Sequence, residues 1–345
     1  MFCCSECFSS PHLKQIINSN PQIGDCSFCH SQKVAIYDPK ELSLIFQNIL
    51  DLYIHNPQAK NSIDVQIEID FAGKIFSSNV PVKALLQKII SQDLSQYSHL
   101  FSQSVSLNDS ITNPNLIKPL EISWEKFASE IISTNRFHLE NVLDLVKLKN
   151  LLQRYRKVIK KGKTYFRARV SGNVNGLPLT EMKNPPREKA KAGRANPPGI
   201  SYLYIADEMR TTLYEARVAL YDYVTIGEFQ LLEDIEVINL RGDSYDPLLL
   251  ADDGELADFL IHLPFITKLE QELSKPRRRS DNELDYLPTQ YLCEFIKSMG
   301  FDGVEYQSSL HRQGFNLAIF TPDKLGCNKV EVFEIVDLDL KPRLI

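Results

Sequence analysis

Between residues 39 and 160, apolar positions recur at steps of three and four, the spacing that places them on one face of a helix. The stretches are ELSLIFQNILDLYIH (41–55), VKALLQKIISQDL (82–94), SWEKFASEIIST (123–134) and LENVLDLVKLKNLLQRYRKVI (139–159). In the last, Leu139, Val142, Leu143, Val146, Leu151, Leu152, Tyr155 and Val158 form one broad stripe, which predicts a helix over 139–159. The pattern changes at Lys160-Lys161-Gly162. Beyond it, β-branched and aromatic residues gather in short runs that predict strands: TYFRARV (164–170), SYLYIA (201–206), YVTIGEFQLL (223–232), IEVINL (235–240), GVEYQS (303–308), NLAIF (316–320) and VEVFEIVDL (330–338). Two helical patterns interrupt them, MRTTLYEARVAL (209–220) and TQYLCEFIKSMG (289–300). The order predicts an α+β chain in three parts: a Cys-rich module at 1–38, a helical domain at 39–160 and a mixed β domain at 161–345.

Composition narrows the class. Of 345 residues, 43% are hydrophobic and 24% charged, which is globular and excludes disordered or fibrous chains. No apolar run approaches the ~20 residues that span a bilayer. The first residues lack a basic segment followed by an apolar one, so a cytoplasmic protein is expected. A net charge of −5 disfavours a general nucleic-acid binder. The one basic stretch, Arg154, Arg156, Lys157, Lys160, Lys161 and Lys163, reads as a solvated helix end, and Lys275-Pro276-Arg277-Arg278-Arg279 reads as an exposed loop.

Seven cysteines are spread unevenly, and five of them, Cys3, Cys4, Cys7, Cys26 and Cys29, precede residue 30. In a reducing compartment such clustering points to metal rather than to disulfides. Cys4-x2-Cys7 and Cys26-x2-Cys29 have the spacing of two knuckles on a structural zinc, each giving two sulfurs from one turn. Cys3 competes with Cys4 as a ligand, and His30 with Cys29.

The 161–345 region lacks the glycine patterns of Rossmann and P-loop sites, the H-E-x-x-H of zinc proteases and the G-x-S-x-G of serine hydrolases. It carries instead polar residues set into strands and turns: Arg167 in FRAR, Arg194 in GRANPPGISYLYIA before Tyr202 and Tyr204, Glu215 in TTLYEAR, Ser308 and Ser309 in GVEYQSS, and Asn316 in FNLAIF. In this order they resemble a RES domain, with YLPTQYLCEFIKSMGFDGVEYQSS as a further matching block. The Cys-rich helical part resembles the HEPN/RES N-terminal extension found before some RES domains.

The RES resemblance implies an ADP-ribosyltransferase-like fold that cleaves NAD at the nicotinamide–ribose bond, in a bacterial toxin with a protein antitoxin or in a phage-defence effector. It implies Glu215 as the carboxylate that stabilises the oxocarbenium ion, Arg167 and Arg194 on the pyrophosphate, and Tyr204 stacked on nicotinamide. Ser308, with Ser309 as competitor, would bond the amide or a ribose hydroxyl, and Asn316 would complete the NAD site. Transferases that modify protein arginines carry E-x-E. Here Leu213 stands two positions before Glu215, which favours NAD degradation by water or phosphate over protein ADP-ribosylation. A non-catalytic zinc-dependent binding module is the other class. No arginine in the helical region has a histidine at the spacing of a HEPN ribonuclease, so that region is expected to serve oligomerisation, antitoxin binding or sensing.

Overall fold

The computed structural model describes residues 1–71, 73–108, 114–241, 246, 248, 256–276, 282–311 and 313–338, with backbone alone at 114–122, 258 and 261. The chain divides into two compact units, Met1–Pro119 with Asp243–Pro264 and Leu120–Gly242 with Phe265–Ile345.

Among the described residues, the first unit holds two small antiparallel sheets, five short helices and the first turns of two longer ones, which begin at Pro114 and Leu256. Strand β1 (Cys3–Cys4) and β2 (Ile23–Gly24) flank β3 (Val34–Tyr37), and β4 (Tyr53–His55) pairs with β5 (Val105–Leu107). Helices α1 (Pro11–Asn18), α2 (Ser43–Leu50), α3 (Ile63–Asp70), α4 (Val82–Ile89) and α5 (Leu94–Ser102) bury apolar residues in one cluster; of the predicted patterns, 82–94 gives α4, whereas 41–55 is helical only as far as Leu50 and its end forms β4. Phe8, Phe46 and Phe76 meet at its centre with ring centroids 5.5–6.5 Å apart.

The second unit is built on one eight-stranded sheet. After α6 (Pro114–Ser133) and α7 (Leu145–Gln153) come β6 (Arg156–Ile159), β7 (Thr164–Val170), α8 (Leu179–Met182), β8 (Leu203–Ala206), α9 (Met209–Ala216), β9 (Tyr223–Leu231) and β10 (Ile235–Asn239). Then follow α10 (Leu256–Ser274), α11 (Leu287–Ser298), β11 (Gly303–Gln307), β12 (Phe315–Ile319) and β13 (Leu325–Glu334). The strand order is β13-β9-β7-β8-β12-β11-β10-β6, antiparallel except for β10 with β11. Alternation along the strands sends Val304, Tyr306 and Ala318 to one face, against Phe127, Leu152 and Leu292. Leu203, Ile205, Leu317 and Ile319 go to the other face. Between β7 and β8 a single residue pair, Phe166 with Ala206, holds the ladder, so the two strands diverge there. Among the described residues no helix is long and apolar enough to cross a membrane.

The units correct the expected three-part division. Cys3, Cys4, Cys7 and Cys26 share one apolar cluster with Phe46 and Leu85, so 1–38 is not a separate module. Leu248, Leu256, Phe259 and Leu260 join that same cluster from far along the chain. In turn Trp124, Phe127, Leu148, Leu151 and Leu152 pack in the core of the large sheet, so the boundary near 160 moves back to about 120.

The helix expected over 139–159 is confined to α7. Val142, Val146 and Val158, assigned to its apolar stripe, are exposed, while Leu148, Leu151 and Leu152 are buried. Residues 156–159 form β6 because they complete the edge of β10, where the basic run meets acids on the sheet. Lys157 Nζ lies 2.8 and 2.9 Å from the oxygens of Glu305, which is fully buried, and Arg241 adds a third charge at 3.3 Å. Arg156 pairs with Glu236 and Lys160 with Asp234. A helical period loses to a buried carboxylate that needs cations. Of the expected basic loop, Lys275 bonds Glu272, while 277–279 lie outside the described residues.

Candidate active site

Helix α9 ends earlier than its sequence pattern predicts, and its end places Glu215. Arg217 adopts a left-handed conformation (φ 52°, ψ 48°), with its N–H on the Tyr214 carbonyl and the Val218 N–H on the Leu213 carbonyl. This is a Schellman cap, completed by apolar packing of Val218 and Leu213 in one cluster. Glu215 therefore sits in the last helical turn, where the dipole disfavours a carboxylate by about 0.3–1 kcal/mol. Two donors offset this. Ser308 Oγ, at the end of β11, donates to Glu215 Oε1 at 2.7 Å, and Asn316 Nδ2, on β12, donates to the same oxygen at 2.8 Å. Both donors are buried, whereas Glu215 itself is exposed.

Glu215 stands at the meeting of two lobes of one cleft. The larger, about 480 Å³, is lined by Arg194, Arg217, Lys275, Tyr306, Ser309 and Asn316 among others. The smaller, about 200 Å³, opens where β7 and β8 diverge and is lined by Phe166, Arg167, Tyr204, Thr212, Tyr306 and Asn316 among others. Glu215, Tyr306 and Asn316 belong to both. The two arginines are thus divided between the lobes. Arg167 is half-buried, with Nη1 on the Lys183 carbonyl at 3.2 Å. Burial, helped by the charge of Arg169, pushes its guanidinium down to about 10, still a cation at neutral pH. Arg194 donates to the Glu272 carbonyl at 3.2 Å and lies 5.1 Å over the Tyr286 ring.

Tyr202 and Tyr204 separate cleanly. Tyr202 is buried against Phe320, while Tyr204 is half-buried at the smaller lobe. The Tyr204 hydroxyl is already engaged: it donates to Asn196 Oδ1 at 2.6 Å and accepts from the Ala195 N–H at 3.2 Å. A Cβ on Gly193 would stand 2.6 Å from that hydroxyl, so only glycine lets the loop close on Tyr204. Thr289 Oγ1 and Gln290 Nε2 hold the same loop through the Arg194 and Gly193 carbonyls. Tyr204→Phe leaves Asn196 Oδ1 and the Ala195 N–H without this partner. The expected cost is about 1–3 kcal/mol, read as a lower midpoint in thermal or urea unfolding. An unchanged midpoint would show that the hydroxyl does not hold the loop.

The serine choice changes meaning in the structure. Ser308 is 1% exposed and its one proton is directed at Glu215, while Ser309 is exposed and lines the larger lobe. Ser308 therefore positions the carboxylate, and Asn316 does the same while facing both lobes. Sequence reasoning missed Tyr306 and Arg217. Tyr306 gives only the inward parity of a strand residue, and Arg217 occupies a position where glycine would announce a cap.

The cysteines converge in the first unit. The sulfurs of Cys4, Cys7, Cys26 and Cys29 all lie within 4.8 Å of one another, with Cys4–Cys29 at 3.4 Å and Cys7–Cys26 at 3.3 Å. A tetrahedral zinc with bonds of about 2.3 Å needs sulfurs about 3.8 Å apart, which this set fits. Cys3 points away and donates to the Tyr37 carbonyl, and His30 is not part of the group. Burial, with the Cys29 contact, raises Cys4 to about 12. At Cys29 burial acts upward too, but hydrogen bonds involving Ser31, Cys4 and Cys26 outweigh it and bring the thiol to about 7.

A family model described as the RES domain matches residues 166–339. The chain belongs to the RES domain family. Arg167, Arg194, Tyr204, Glu215, Ser308 and Asn316 all fall within the RES match, and the residues before 166 lie outside it. No curated protein matches the chain. Among solved structures, the RES chain is similar to one in the crystal structure of the M. tuberculosis MbcT-MbcA toxin-antitoxin complex. The identity is 14%, over 54% of this chain and 92% of that chain, with a TM-score of 0.32.

Proposed function

We propose that the RES domain is an ADP-ribosyltransferase-like enzyme that cleaves NAD at the nicotinamide–ribose bond. The observation that carries this reading is the Glu215 carboxylate, fixed by Ser308 and Asn316 at the junction of two arginine-lined lobes, with Arg167 in the smaller and Arg194 and Arg217 in the larger. The C–N bond breaks with its electron pair leaving on nicotinamide, which departs neutral. The ribose becomes an oxocarbenium ion, and the negative charge of Glu215 stabilises it. Water or phosphate adds to the cation from solution and releases or carries the proton. Arg167 and Arg194 serve the pyrophosphate from opposite sides, and the Tyr204 ring flanks nicotinamide in the smaller lobe. Leu213, half-buried in the core below α9, stands where a protein-modifying transferase would place a second carboxylate, which supports NAD degradation over protein ADP-ribosylation.

The family resemblance supports a toxin or phage-defence effector acting in the cytoplasm, held in check by a protein antitoxin. The four-thiol cluster takes a structural zinc, because a closed set of four ligands leaves no position for a reacting water. Incubating the purified protein with NAD, with and without phosphate, tests the reaction. Free nicotinamide, with ADP-ribose or its phosphate ester, is expected, and NAD left intact would overturn the reading.

Arg194→Ala removes a charge-assisted contact made in the ground and transition states alike. KM for NAD is expected to rise about ten- to a hundredfold, with a smaller fall in kcat. Steady-state nicotinamide release checks this, and a loss confined to kcat would remove Arg194 from substrate binding.

A further inference from the structure

The loop from β11 to β12 reaches α9 at a second place besides Ser308. The His311 imidazole lies parallel to the Tyr214 ring, 5.3 Å between centroids and 5° between planes. Its Nδ1 stands 2.9 Å from Thr211 Oγ1 and 3.2 Å from Glu208 Oε1. Glu208 precedes the first turn of α9, and Thr211 and Tyr214 follow at three-residue steps, so one ring is held at three points along the helix that carries Glu215. Thr211 is fully buried and also bonds Asp207, whose Oδ1 accepts the Phe315 N–H at 2.9 Å. The loop lies so close that a Cβ on Gly314 would fall 1.8 Å from Thr211 Oγ1.

The backbone of the same residue sets the direction of the Ser308 proton. The His311 N–H donates to Ser308 Oγ at 3.0 Å. An amide can only donate there, and a hydroxyl has one proton, so Ser308 is left to donate to Glu215. His311 lines neither lobe of the cleft.

We infer that His311 is a positioning residue: its side chain clasps the β11–β12 loop to α9 and its amide orients Ser308, so that Glu215 is held at the junction of the lobes. The kinetic part of this inference rests on the NAD-cleavage reading, whereas the clasp itself does not.

Three variants test it, read by nicotinamide release and by amide hydrogen exchange of the loop. His311→Ala is expected to lower kcat about tenfold, as small misplacements of a reacting group do, with KM within twofold. Exchange at 308–314 should rise while that of β8 stays unchanged. His311→Asn places a polar atom near the position of Nδ1 and should restore kcat to within about threefold of wild type. His311→Phe keeps the ring on Tyr214 but not the bonds to Thr211 and Glu208, and should remain as slow as the alanine variant.

A kcat within twofold in His311→Ala, a rise in KM alone, or unchanged loop exchange would overturn the inference. So would kinetics that follow melting temperature across the three variants. If His311→Ala does not fold, the contrast between Asn and Phe decides. If the wild-type protein leaves NAD intact, the NAD reading fails, and the exchange data still decide whether His311 holds the loop.

Discussion

Glu215→Gln is expected to bind NAD with near-native affinity and to release nicotinamide about 10²–10³-fold more slowly, a loss of roughly 3–4 kcal/mol of transition-state stabilisation. Glutamine keeps the shape of the side chain, and its amide oxygen can still accept from Ser308 Oγ and Asn316 Nδ2. What disappears is a negative charge, which matters little to bound NAD and much to the oxocarbenium ion. The substitution also removes a carboxylate from the unfavourable end of the helix dipole, which offsets the weaker hydrogen bonds. The melting temperature should therefore stay near that of wild type, so that lost activity cannot be ascribed to unfolding. Calorimetric titration with NAD beside a nicotinamide assay separates binding from cleavage. Cleavage within threefold of wild type would mean that Glu215 is not the catalytic carboxylate.

The other large effect concerns metal. Cys26→Ser combined with Cys29→Ser should abolish zinc retention and unfold much more than the first 38 residues. A structural zinc contributes on the order of 10 kcal/mol at neutral pH, comparable with the whole stability of a domain. Cys4, Cys7 and Cys26 are buried in the cluster that contains Phe8, Phe46 and Phe76, so loss of the metal opens that core. About one equivalent of zinc in the wild-type protein and fast hydrogen exchange through α1 and α2 of the double variant are expected. Wild-type protein that carries no metal when purified without chelator would remove the site.

The strands of the sheet were legible because alternation and β-branched residues survive whatever packs on them. The knuckles were legible from spacing alone, although only the structure separates Cys4 from Cys3 and Cys29 from His30. Glu215, Ser308 and Asn316 were each identifiable by motif, yet their mutual geometry was not. That Ser308 serves the carboxylate rather than the substrate depends on the loop that presents it, and sequence gives no sign of the His311 amide behind it. β6 was read as helix because Lys157 finds its partner, Glu305, 148 positions away. The unit boundaries failed for the same reason: a reading that moves along the chain keeps 243–264 with its neighbours, whereas Leu256 and Phe259 are buried in the cluster that also holds Phe46.

That last packing has a consequence for synthesis. Translation delivers Met1–Pro119 first, but the segment that completes its core ends only at Pro264. At about 5–20 residues per second, the unfinished core waits on the order of ten seconds, a time in which a chaperone can engage it. The same clock governs the chemistry. Glu215 leaves the ribosome about a hundred residues before Asn316, and until the loop with Ser308 follows, the carboxylate has neither of its donors. The cleft around Glu215 is thus completed only once β12 has been made, well after Arg167, Arg194 and Glu215 themselves have emerged.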